Sequence, residues 1–148
     1  MSSEFRRFVK PWREVVNLAK KVNGMRVRVG IFEGELAEIA LIHEYGAPRA
    51  NIPERSFIRA TFAIRRAEII EFQNRIYKLM MARKIDETKA MNLIGAYLVG
   101  LCKEQIVRYG PLIFQPLKEA TIAAKNGKTS PLIDTGQLVN GITWVIVP

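Results

Sequence analysis

The chain has 148 residues, of which 49% are apolar and 25% charged. That length fits one domain, residues 1–148, able to bury about two thirds of its unfolded surface without staples, and the balance excludes disordered and fibrous classes. A formal charge of +9 and a pI near 10.0 point instead to a polyanionic partner, either nucleic acid or an acidic protein surface.

The opening "MSSEFRRFVK" lacks the apolar run of a signal peptide, which suggests synthesis in the cytosol. Its basic residues Arg6, Arg7 and Lys10 lead into Pro11, a good first helical residue, and Val15, Val16, Ala19 and Val22 recur at helical spacing until Asn23-Gly24 stops them. "MRVRVGIF" then alternates, with Val27, Val29 and Ile31 on one face and Arg26, Arg28 and Gly30 on the other. It predicts a strand with a buried side and a cationic side.

"ELAEIALIHEYG" places Leu36, Ile39, Ala40 and His43 on one helical stripe, with Gly46 and Pro48 as the stop. After the loop "APRANIPERS", Ile69, Phe72, Ile76 and Leu79 keep a period near 3.6, which predicts one long helix from about Phe57 to Arg83. Asp86 is placed to cap a second long helix ending at Gly110-Pro111. Its middle is apolar nearly all round, with Gly95, Ala96 and Gly100 small enough for close packing, and its longest apolar run, "AMNLIGAYLVGLC", is shorter than the roughly 20 residues of a membrane span. The lone Cys102 falls within that run and reads as a small buried hydrophobe.

A short helix around "LKEATIAAK" follows, and the chain closes on "ITWVIV", apolar on both faces and β-branched. The fold class is therefore α+β, two long helices plus shorter helices packed on a small, mostly antiparallel sheet that includes residues 25–32 and 141–147. Ile142, Trp144 and Ile146 are apolar surplus that a single domain of this size cannot easily cover, which makes them candidates for a subunit interface.

"LIDTGQL" carries the Asp-Thr-Gly of aspartic proteases, but such an enzyme needs two carboxylates inside extensive β-structure, and only 14 residues follow Asp134. The competing reading is a capping box, with Asp134 as N-cap and Gln137 three residues on, closed by Asn140-Gly141. His43 is the only histidine, so a metal site would rest almost wholly on carboxylates, and it reads as a packed or interface residue. With no triad, no phosphate-cradling glycine loop and no isolated carboxylate pair, neither an enzyme, a cofactor nor a metal is expected.

Residues 1 to 30 hold eight Lys/Arg against two Glu. This end is the candidate for phosphate backbone or an acidic partner, through Arg6, Arg7, Arg26 and Arg28. No zinc finger, aromatic RNA-binding signature or helix-turn-helix accompanies it, so any nucleic-acid contact is expected to be sequence-independent.

Two blocks combine into something more specific: "IALIHEYGAPRANIPERSFIRATF" at 39–62 and "PLKEATIAAKNGKTSPLIDTGQLVNGITWVIV" at 116–147. Together they resemble the tailed-bacteriophage neck and tail-completion proteins grouped as virion morphogenesis or minor tail proteins. The matches are Glu44-Tyr45-Gly46, Ile52-Pro53-Glu54-Arg55, Phe57-Ile58-Arg59, and Pro131 through Leu138, including Asp134, Thr135 and Gly136, followed by Gly141-Ile142. Ser56, where proline is common, and Val139-Asn140-Gly141, where Arg-Asn-Ser is common, depart from the pattern.

The resemblance implies a non-enzymatic virion protein, assembled in the host cytoplasm, that forms a homo-oligomeric ring, sixfold or twelvefold, at the head-tail junction. Its implied partners are head-completion or connector proteins, tail tube or terminator proteins, and genomic DNA passing non-specifically through the lumen, with no membrane. Both motif blocks would then act as structural turns, and Arg26 and Arg28 as lumen or acidic-partner contacts. The alternative from the residues alone is a small basic protein that binds nucleic acid without sequence preference.

Overall fold

The computed structural model describes residues 16–18, 20–32, 34–110, 114, 116–124 and 136–148. The chain is helical at 16–18 and 20–22, turns at Asn23-Gly24, and enters strand β1 (Arg26–Gly30). Helix α1 (Gly34–Tyr45) follows, then a single 3-10 turn (Pro48–Ala50), α2 (Arg59–Ile64), α3 (Arg66–Met81) and α4 (Glu87–Glu104). A π-helical turn (Gln105–Tyr109), α5 (Glu119–Ala124), α6 (Gln137–Gly141) and β2 (Thr143–Val147) complete the order. The architecture is the expected α+β, with β1 and β2 antiparallel and Arg26 opposite Val147, Arg28 opposite Val145 and Gly30 opposite Thr143.

That register fixes which side of the sheet is covered. Val27, Val29, Trp144 and Ile146 are half-buried against the helical layer, while Arg26, Arg28, Thr143 and Val145 face outward. The alternation that predicted β1 holds from Arg26 through Val29, but Gly30, expected on the cationic side, is buried.

Helix α4 is the central element, in contact with both strands and with α3. Asp86 caps it as expected, its Oδ1 accepting the Lys89 N–H at 2.7 Å from an extended backbone (φ −81°, ψ 173°). The buried side is Ala90, Met91, Ile94, Gly95, Leu98, Val99, Leu101 and Cys102. Gly95 is where the sheet comes closest: a Cβ there would lie 2.2 Å from Cδ1 of Trp144, so only bare backbone admits the indole. The Trp144 Nε1–H is satisfied by Asn92 Oδ1 at 3.0 Å, one turn before Gly95.

Two expectations for the long helices need correction. The first helix is not continuous: Arg65 leaves helical geometry (φ −98°, ψ 17°) and divides α2 from α3, its guanidinium held by Glu68 at 3.1 Å and Glu104 at 2.6 Å. On the second, Gly95 packs closely as expected, whereas Ala96 and Gly100 are exposed and a Cβ on Gly100 would meet nothing within 4 Å. Nor does that helix stop cleanly: its last turn widens to π geometry, and Gly110 is still helical, with Phe114 packed where a Cβ would stand (2.9 Å). Pro111 lies outside the described residues.

The core is two apolar clusters that share the sheet. One joins α3 to α4 through Ile69, Ile76, Met80, Ile94 and Leu98, with Phe72 stacked on Tyr97 at 3.8 Å between ring centroids and the Tyr97 hydroxyl donating to Glu68 at 2.5 Å. Burial and that carboxylate push the Tyr97 hydroxyl up to about 12. The other cluster gathers Ala40, Phe57, Val99, Cys102, Ile106, Leu138 and Ile142. Cys102 is fully buried there, and burial holds its thiol up at about 11, only partly offset by a hydrogen bond with Thr61. It packs as the small hydrophobe its position predicts.

Candidate functional site

The block at 39–62 folds on itself because α1 ends in a left-handed residue. Gly46 has φ +73°, and a Cβ there would sit 2.9 Å from the Glu54 nitrogen. The chain therefore doubles back. Ala47 and Ile52 exchange backbone hydrogen bonds of 2.9 and 3.1 Å around the Pro48–Ala50 turn, with Asn51 left-handed at φ 56°. Arg55 N–H then donates to the His43 carbonyl at 2.8 Å, which lays residues 54–59 beside the last turn of α1.

Glu44 is the residue that this fold-back serves. Its Oε2 accepts the N–H groups of Phe57 (2.8 Å) and Ile58 (3.0 Å), and its Oε1 those of Arg59 (2.9 Å) and the Ser56 hydroxyl (2.7 Å). The Arg59 Nε also reaches Oε1 at 3.2 Å. These N–H groups open α2, whose own N-cap, Ile58, has no side-chain acceptor to offer. A carboxylate from another helix thus does the work of an N-cap, in the place where the helix dipole favours negative charge. Burial works against that charge, but the bonds from Ile58, Ser56, Arg59 and Phe57 outweigh it and hold the Glu44 carboxyl below its ordinary value.

Arg59 closes the arrangement from outside. Its Nη2 donates to the Glu44 carbonyl at 2.8 Å and to Glu54 Oε1 at 2.7 Å, and its guanidinium lies 4.2 Å from the Tyr45 ring centroid. Phe57 is fully buried in the cluster beneath, and Arg55 is 6% exposed, with burial lowering the pKa of its guanidinium. Pro53 is half-buried in the loop. Tyr45, Gly46, Pro53, Arg55, Phe57 and Arg59 are thus brought together as one structural junction around Glu44. Because Glu44 engages the N–H groups of 57, 58 and 59 and not that of 56, a proline at 56 would leave all three bonds intact. Ser56 adds its hydroxyl to the cap and accepts the Ala60 N–H at 3.1 Å.

Periodicity missed Glu44 as the centre, since a residue on the α1 stripe that includes Leu36 and Ala40 is counted as core and an acid there as an interruption. The available signal was that interruption itself: one carboxylate on a buried face, a glycine stop two residues later, and a helix start with no local cap.

Of the second block, Asp134 and Thr135 lie outside the described residues. Gly136 is left-handed (φ 80°) and stands at the N-cap of α6, so Gln137 is the first helical residue. The expected capping box put Gln137 a turn deeper, and the observed helix start corrects it. The predicted end holds: α6 closes at Gly141, and Ile142 (φ −68°, ψ 122°) turns the chain into β2. Leu138 and Ile142 join Phe57 and Ala40 in one cluster, so the two blocks meet in the core.

The residues expected at a subunit interface differ in exposure. Ile142 is 2% exposed, and Trp144 and Ile146 pack against the chain's own helices, so what β2 leaves outward is Thr143 and Val145. Beside them stand Arg26 and Arg28, both exposed, with the Arg28 guanidinium 5.9 Å from the Phe32 ring centroid. This outer face can present two cations to a phosphate backbone or an acidic surface. Arg6 and Arg7 lie outside the described residues.

His43 is half-buried on α1. Among the described residues no three or more His, Cys, Asp or Glu are grouped to hold a metal, and no helix is long and apolar enough to cross a membrane. No protein-family model, curated protein or solved structure matches this chain.

Proposed function

We propose that the chain is a non-enzymatic structural subunit of the neck of a tailed bacteriophage, forming a ring that completes the tail and joins it to the head connector around the DNA channel. The observation that carries the reading is the two-block resemblance, together with what the blocks do in the fold. The described residues of the first block tie α1 to α2, and the two blocks share one hydrophobic cluster. That is the use expected of a signature that preserves shape. The outward Arg26 and Arg28 suit a lumen through which DNA slides without sequence preference.

The experiment is removal of this protein from an assembling phage. Filled heads and finished tails accumulating unjoined is the expected result; joined, infectious particles without it would refute the role. The exposed cationic strand face also favours a second reading, a free nucleic-acid-binding protein. Under that reading the isolated monomer binds duplex tightly at low salt and loses affinity steeply as salt rises.

A further inference from the structure

Twelve large apolar side chains stay exposed among the described residues, and seven of them fall on two short surfaces: four on α1, three at 62–70. On α1, Leu41, Ile42 and Tyr45 face away from Leu36, Ala40 and Glu44, with Glu35 and Glu38 among them, while Ile39, expected on the buried stripe, is 40% exposed at its edge beside Leu36. Residues 31 to 47 contain four Glu and no Lys or Arg, inside a chain of net +9. Neither Glu35 nor Glu38 has an ion-pair partner among the described residues.

The second surface has the opposite sign. Ile64 is the most exposed of the large apolar residues at 68%, and Arg66 and Ile70 are neighbours one turn apart on α3. Arg65 and Glu68 pair with each other at 3.1 Å, which leaves Arg66 as the cation without a carboxylate partner among the described residues. Scattered exposed apolar residues need no explanation. Two apolar surfaces of opposite charge on one chain are complementary in sign.

A groove gives the fit its detail. Between α1 and α6, Glu35, Leu36, Ile39, Gln137 and Asn140 line an open space of about 550 Å³. An apolar floor beside one carboxylate and two amides suits a long side chain with an aliphatic stem and a cationic head. We propose that the α1 face of one copy seats on the Ile64, Arg66 and Ile70 face of a second copy, with Arg66 entering this groove and pairing with Glu35. The two faces differ, so the contact is head-to-tail, the kind a closed ring requires. The proposal rests on the assembly reading above and goes further by assigning the contact.

The test uses the full chain and two charge reversals, Glu35→Lys with Glu38→Lys, and Ile64→Glu with Arg66→Glu, read by light scattering. All four side chains are exposed, so far-ultraviolet circular dichroism should be unchanged. Each variant alone is expected to fall to the 16.8 kDa monomer, and an equal mixture of the two to recover the wild-type mass. If either pair melts early, Glu35→Lys and Arg66→Glu singly take its place with the same readout. Wild-type mass retained by the separate variants, or no recovery in the mixture, overturns the contact and leaves these faces to a different protein. A wild-type chain that is itself monomeric overturns the assembly reading, and this inference with it.

Discussion

Around Glu44 one carboxylate collects three backbone N–H groups, a hydroxyl and a guanidinium, whereas around Gly95 a helix meets the sheet with an indole against bare backbone. Both tie distant elements together, and they fail differently. Packing degrades in proportion to the atoms lost or added. A polar centre fails as a unit, since removing its acceptor orphans every donor that faced it.

The largest effect should come from breaking the polar centre. Glu44→Ala leaves the N–H groups of 57, 58 and 59 without their acceptor and is expected to cost about 3 kcal/mol, a fall in Tm of about 6–12 °C by thermal melting. Glu44→Gln keeps the shape and isolates the charge. Because the Glu44 carboxyl is held below its ordinary 4.5, its contribution is complete above that pH and is lost as pH falls through the folded value. The melting gap between wild type and Glu44→Gln should therefore narrow as pH drops from about 7 towards 3. A gap constant over that range would mean that the charge is not what stabilises the junction.

On the apolar side, Gly95→Val should cost about 2 kcal/mol through overpacking. Trp144 emission should shift as the ring is displaced. Unchanged emission and stability would mean that the contact relaxes freely. Asp86→Ala, which removes the cap from α4, should cost about 1 kcal/mol in denaturant unfolding. The smallest effect has the opposite sign. Gly100→Ala lies on the same helix as Gly95 but faces open space, and should stabilise by about 0.8 kcal/mol through helix propensity alone. Equal outcomes for the two glycines would mean that the Trp144 contact at Gly95 sets neither apart.

What could be read from the sequence divides along the same line. Features set by spacing or by one local residue were legible: the alternation of Val27 and Val29 against Arg26 and Arg28, the cap at Asp86, the burial of Cys102, and the stop at Gly46. Features set by contacts between distant segments were not. Nothing near Arg65 marks a break, since the ion pair holding it reaches Glu104, 39 residues away. Ala96 and Gly100 looked like packing residues because a small side chain has the same letter on either side of a helix. Trp144 looked surplus because the gap that receives it, at Gly95, belongs to another element. For the site, the motif residues around 45–59 could be grouped by resemblance, yet the reason they belong together is a carboxylate whose role appears only once the loop has folded back.

Native mass spectrometry of the purified protein tests the proposed ring of identical copies most directly. The expected result is one discrete species at six or twelve times the 16.8 kDa protomer, dissociating as salt is raised. A single 16.8 kDa species at every concentration and salt would contradict it.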